Sequence, residues 1–165
     1  LYTMIKSMPK MNSYIRNKQS PVTLYHGSML PNLKNLQIGD IYTTPIFMST
    51  SVIFDVAARF ARVNPTSADT AVVLRITIPP NKLKHFQYMY FGDFVNLAKC
   101  NTIDESEVLM NLYSNIKLDH IHDPIMMTYK GYGCNEQIQS SEKKITFFDF
   151  TFIGHSNQNV NQLLI

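Results

Sequence analysis

The sequence has no apolar run approaching the ~20 residues needed to cross a bilayer, so no transmembrane helix is expected. Residues Leu1 to Lys10 also lack the apolar core of a signal peptide, because Lys6 and Lys10 are mixed there with Met and Pro. Cysteine is scarce. Cys100 and Cys134 stand far apart without a CxxC spacing, which argues against a disulfide framework and reads as two free thiols. Charge is sparse as well, at 16% of residues, and the basic residues behind the net +3 are scattered. No strong nucleic-acid partner is expected from that pattern. No internal repeat is visible. The first residue is Leu1 rather than Met, so a fragment or a processed form is expected, soluble and of unknown compartment.

What is present is a core. Hydrophobic residues make up 45% of 165, enough for one globular domain over 1–165 and too few for two comfortable ones. Leu1 to Lys18 reads as one or two short helices interrupted at Pro9, a helical lead-in over 1–20. Val22–Tyr25 is a β-branched and aromatic run that ends in His26-Gly27-Ser28. Ile46 to Ser51 reads as a second strand ending in three hydroxyls, and Phe54 to Arg62 as a helix that one of them could cap. Thr70–Ile78 is the clearest strand. His85 to Cys100 is aromatic-rich, Ile116–His122 and Ile125–Tyr129 read as short strands, and Lys130–Glu142 as a polar loop. Ile145–Ile153 alternates as a strand, and 156–165 is a polar tail, loosely held until Leu163. Strands dominate with helices near the front, so the class is α+β.

Three polar stations stand at strand ends: His26-Gly27, Ser49-Thr50-Ser51 and Glu105-Ser106-Glu107. Each alone has an ordinary explanation. His-Gly after a strand is commonly a turn, Ser-Thr-Ser before a helix a cap, and Glu-x-Glu a solvated strand edge. The glutamates are nevertheless unusual at the mouth of the apolar run Val108-Leu109-Met110. In a continuous strand Glu105 and Glu107 share one face, with Ser106 and Val108 on the other. Like charges that close raise the proton affinity of at least one.

In this order and spacing the stations resemble the mono-ADP-ribosyltransferases, the toxin-like class marked by an Arg, a Ser-Thr-Ser strand and a Glu-x-Glu. Thr23-Leu24-Tyr25-His26-Gly27-Ser28 looks like the first motif. Phe47-Met48-Ser49-Thr50-Ser51 followed by Ala57-Ala58-Arg59-Phe60-Ala61 looks like the second, and Glu105-Ser106-Glu107-Val108-Leu109 like the third. The resemblance implies an ADP-ribosyltransferase-like fold of two packed antiparallel β-sheets around an NAD cleft, with N-terminal helices. It implies transfer of ADP-ribose from NAD to a protein side chain, with arginine as the expected acceptor, nicotinamide as leaving group, and a monomer.

Carried over by position, Glu107 is the catalytic glutamate, Ser49 positions it, and Glu105 orients or deprotonates the acceptor. Thr50 and Ser51 support the strand end. Tyr25, His26, Gly27, Ser49, Thr50, Phe60 and Arg62 are the expected NAD-binding residues, with Arg59 as an alternative to Arg62 on the diphosphate. Asn101 and Thr102 would stand with Glu105 on the acceptor side. Phe60, Arg59 and Arg62 fit a plain helix equally well, as a core Phe and two solvated Arg. His26 occupies the place of the family's Arg, and Tyr25-His26-Gly27-Ser28 is similar instead to the first motif of the branch of diphtheria toxin and the poly(ADP-ribose) polymerases. There the His bonds a ribose hydroxyl of NAD. Two alternatives stay open: an NAD glycohydrolase with water as acceptor, and a silent module of the same fold that binds a nucleotide or a partner. His120 and His122 share a strand face, but no third ligand stands at a telling spacing, so no metal is expected.

Overall fold

Ala71–Ile78 is a nearly continuous apolar run, as a strand with both faces covered tends to be. Val72, Leu74, Ile76 and Ile78 enter one core, with Leu24, Phe150 and Phe152. Ala71 and Val73 face the opposite way, against Ala57, Ala58, Ala61 and Phe147. The structure is a computed structural model and describes residues 15, 18–28, 33, 35–62, 70–90, 106–132, 138–156 and 161–162. The expected helical lead-in lies almost wholly outside these residues, as do Phe91, Phe94, Cys100, Cys134, Asn101, Thr102 and Glu105.

The element order is β1 (Val22–Ser28), β2 (Ile41–Thr43), β3 (Met48–Ser51), helix α1 (Phe54–Phe60), β4 (Ala71–Ile78), a 3₁₀ helix (Pro80–His85), β5 (Tyr88–Tyr90), β6 (Glu107–Met110), β7 (Ser114–Ile121), β8 (Ile125–Tyr132), β9 (Ile138–His155) and β10 (Asn161–Gln162). Hydrogen bonds join the strands in the order β10-β2-β7-β9-β4-β1-β3-β6-β5, with β8 added on β9. The β4–β9 and β10–β2 pairs are parallel and the other described pairs antiparallel. Where two antiparallel sheets are expected, the pairing therefore runs through one mixed sheet. It is narrowest between β1 and β3, which share the single register pair Tyr25↔Ser51. On either side of that seam, β1–β4 and β3–β6 are paired along their whole lengths. Met48, Tyr88, Val108 and Met110 from the smaller wing pack into the same core as Leu24 and Phe150 from the larger.

Three readings change. Within Lys130–Glu142, expected as a loop, Lys130–Tyr132 and Ile138–Glu142 are strand: β8 and the first part of β9 pair with Ile125↔Ile145 through Tyr132↔Ile138 in register. Backbone pairing specifies it, and polar side chains can line such a pair without the apolar alternation that marks a buried strand. The polar tail is held at Asn161–Gln162, which pair with Tyr42 and Thr43. Helix α1 ends at Phe60, with Ala61 in an extended conformation. The aromatics Phe86, Tyr88 and Tyr90 are core, and Phe86 lies 4.9 Å from Phe152, edge to face.

Candidate active site

The seam creates the site. β1 and β3 separate beyond Tyr25↔Ser51, and α1 lies over β1. The cleft between them has a volume of about 460 Å³, within the usual range of small-molecule sites. Tyr25, His26, Gly27, Ser49, Thr50, Ser51, Phe60, Arg62 and Glu107 line it.

α1 can lie so close to β1 because residue 27 is glycine. A Cβ there would strike Ala57 O and come within 2.5 Å of Ala61 N. Gly27 sits in mid-strand, paired with Val73, so its need for a missing side chain comes from helix packing rather than from a turn. Tyr25 meets Phe54 edge to face at 5.9 Å, which ties β1 to the first turn of the helix.

The hydroxyls of β3 divide by the alternation of the strand. Ser49 is exposed and its Oγ donates to Glu107 Oε1 at 2.5 Å. Thr50 points into the core wing and its Oγ1 donates to Val108 O at 2.6 Å. Its side chain thereby braces β3 on β6 at the cleft wall. Ser51 Oγ accepts from Ile53 N at 2.9 Å, at the turn into α1. The N-cap of α1 is Ile53, without a side-chain cap bond, so none of the three hydroxyls caps the helix directly.

Glu107 is half-buried and opens β6, paired with Ser51. Ser106 before it is buried and has φ 44°, in the left-handed region that non-glycine residues rarely adopt. The strand does not run straight back through residue 106, so the expectation of Ser106 and Val108 sharing one face of a continuous strand is not met. Such strained backbone clusters at working sites. Nothing in the sequence marks it.

His26 spans the open seam. Its Nδ1 lies 2.7 Å from Ser49 O, and since a carbonyl can only accept, Nδ1 carries the hydrogen. Burial pushes its pKa below the ordinary histidine range, against the opposing pull of the bond to Ser49. The neutral ring leaves Nε2 as an acceptor. Phe60 is 56% exposed, so it is not the core residue that helix periodicity allows. Arg62 is exposed and lines the cleft. Arg59 is half-buried and is not among the cleft's lining residues.

A second polar group lies on the same sheet face. Arg75 bonds Asp149 through Nε (2.5 Å) and Nη2 (2.7 Å), and His122 Nε2 lies 2.6 Å from the same carboxylate. The rings of His120 and His122 touch at 4.4 Å. His122 is thereby engaged with Asp149.

Among the described residues the fold is mostly β with few helices: a mixed sheet with a split seam, a helix laid over it and a serine-held glutamate at its mouth, the fold shared by solved ADP-ribosyltransferase structures. No protein-family model and no curated protein matches the sequence. Solved structures do. An ADP-ribosyltransferase, Vis, in complex with agmatine matches with a TM-score of 0.53 and 20% identity, over 97% of this chain and 61% of that one. The Vis toxin of Vibrio splendidus matches with a TM-score of 0.51 and 20% identity, over 97% and 60%. Plx2a, an ADP-ribosyltransferase toxin from Paenibacillus larvae, matches with a TM-score of 0.51 and 12% identity, over 93% and 83%. The chain thus spans about three fifths of the Vis chains it matches. Among the described residues no helix is long and apolar enough to cross a membrane.

Proposed function

We propose that this chain is an NAD-dependent mono-ADP-ribosyltransferase domain that passes ADP-ribose from NAD to a protein side chain, with arginine as the first acceptor. The observation that carries the reading is the 2.5 Å bond from Ser49 Oγ to Glu107 Oε1 at the mouth of the cleft. Breaking the bond between nicotinamide and ribose builds positive charge on the sugar, as in glycoside hydrolysis. A fixed carboxylate beside that sugar stabilises the charge and can accept a hydrogen bond from a ribose hydroxyl. Ser49 fixes Glu107 by donating to one oxygen. Phe60, exposed on the cleft wall, offers a face for the nicotinamide ring, and Arg62 a permanent cation for the diphosphate. His26 Nε2 accepts from a hydroxyl of the nucleotide. It cannot replace a bidentate guanidinium on phosphate, so that duty falls on Arg62. Glu105, Asn101 and Thr102 belong to the acceptor side in this reading.

The test is nicotinamide release from NAD, with and without agmatine as an arginine mimic. Vis, one of the structures of this fold, was solved with agmatine bound. Wild-type protein should release nicotinamide, faster with agmatine. Glu107→Gln should lower the rate by about 10²–10³-fold, the typical loss when one charge-stabilising group is removed. Release unchanged by agmatine points to water as the acceptor. No release from folded protein that still binds NAD points to the silent binding module.

A further inference from the structure

We infer that Lys143 is a positioning residue for the nucleotide, acting through the C-terminal end of α1; this rests on the reading of the cleft as the NAD site. Lys143 lies on β9, paired with Met127, on the strand face it shares with Ile145 and Phe147. That face is turned to α1, and Lys143 is half-buried where Glu142 and Lys144 are exposed. Its Nζ donates to Ala58 O and to Ala61 O, both at 2.7 Å, and stands 5.0 Å from the centre of the Tyr129 ring.

A seven-residue helix is not stable by itself, and its last carbonyls have no partners within it. A cation at that end meets both the unpaired oxygens and the negative pole of the helix. The two oxygens that Lys143 holds flank Phe60, and Arg62 follows directly. Phe60 is 56% exposed, so packing of its own ring does little to fix it. Backbone held at residues 58 and 61 determines where the ring and the Arg62 guanidinium stand in the cleft. Ser49 and Glu107, on β3 and β6, do not depend on this clamp. Lys143 should therefore govern how tightly the nucleotide is held, and leave bond breaking largely alone.

The experiment compares wild type, Lys143→Met and Lys143→Arg. Affinity for a non-hydrolysable NAD analogue is measured by calorimetry, and KM and kcat by nicotinamide release. Losing charge-assisted bonds to the helix end should weaken NAD binding about tenfold in Lys143→Met, with kcat within about twofold. Lys143→Arg, which keeps donors for both carbonyls, should stay near wild type. Amide exchange at Ala61, whose N–H bonds Ala57 O, should quicken in Lys143→Met. If Lys143→Met does not fold, Lys143→Gln, uncharged and on a shorter stem, takes its place with the same expectation. Unchanged affinity in the folded variant overturns the inference. So does an equal fall of kcat and affinity in both the Met and Arg variants, which marks a purely structural lysine. Wild-type protein that does not bind the analogue overturns the reading of the cleft itself, a result distinct from either.

Discussion

In the proposed reading, the neutral imidazole of His26 should make nucleotide binding sensitive to acid. Burial, the larger influence, lowers its pKa, and the bond to Ser49 O opposes this. The ring therefore stays neutral to lower pH than an ordinary histidine does. Protonation then turns Nε2 from an acceptor into a donor, and the nucleotide hydroxyl proposed to donate to it would have to turn. NAD affinity should be flat above the ordinary histidine range and fall only below it. His26→Gln, which keeps an amide donor for Ser49 O, should lose this acid limb. Calorimetry across pH checks it; a limb centred in the ordinary range, or one persisting in the variant, would remove His26 from the nucleotide's contacts. Ser49 and Glu107 could be singled out from sequence because the three polar stations, ordinary one by one, together resemble a known family. Lys143 gave a fainter signal, since a lysine in phase with Ile145 and Phe147 belongs to a covered face. That phase has meaning only once the strand is known to reach back from Ile145 to Ile138.

Helix α1 is the element on which the cleft depends, and Gly27 sets how close it comes. Gly27→Ala would drive a methyl group into backbone atoms of residues 57 and 61, which cannot move aside as a flexible side-chain end can. Overpacking of this kind costs about 1–3 kcal/mol. In a chain of this size that lowers Tm by roughly 3–10 °C. Thermal unfolding followed by circular dichroism measures it. A Tm equal to wild type would mean that the helix can lift from β1 without loss, and that Gly27 matters for ligand approach alone. The helix was legible from the period of Val56, Ala57, Phe60 and Ala61, although Phe60 is exposed and Ala61 lies past the helix end. Its closeness to β1 was not, because a His-Gly pair after a strand looks the same whether glycine serves a turn, a ligand or a crossing helix.

Across the whole molecule, one register row links Glu107, Ser51, Tyr25, Arg75, Asp149 and His120 through six strands. Its far end is the ion pair of Arg75 and Asp149. Burial raises the Asp149 pKa, but the hydrogen bonds and charges of Arg75 and His122 outweigh it and hold the carboxyl below its usual range. A carboxylate with a lowered pKa in the fold adds stability above its unfolded value, and that stability is lost as pH falls through the folded value. Asp149→Asn should cost about 1–2 kcal/mol at neutral pH, allowing for the partial exposure of both partners. The gap in Tm between wild type and variant should close on acidification below the ordinary carboxylate range. A gap independent of pH would show that packing, not charge, is what the substitution removes.

Alternation and residue type are local properties, and they determined the strands β1, β4 and the end of β9 and the helix after β3; the roles proposed for Ser49 and Glu107 came instead from the order of the three motifs and the family they resemble. Contacts between distant strands are not local. Ser49 and Glu107 are separated by 58 positions and meet only through the antiparallel register of β3 on β6. Lys143 reaches Ala58 across 85 positions because a polar hairpin, held by backbone bonds rather than by apolar pattern, carries it beneath the helix. The seam between β1 and β3, which opens the cleft, is likewise a matter of where pairing stops, and tertiary structure alone decides that.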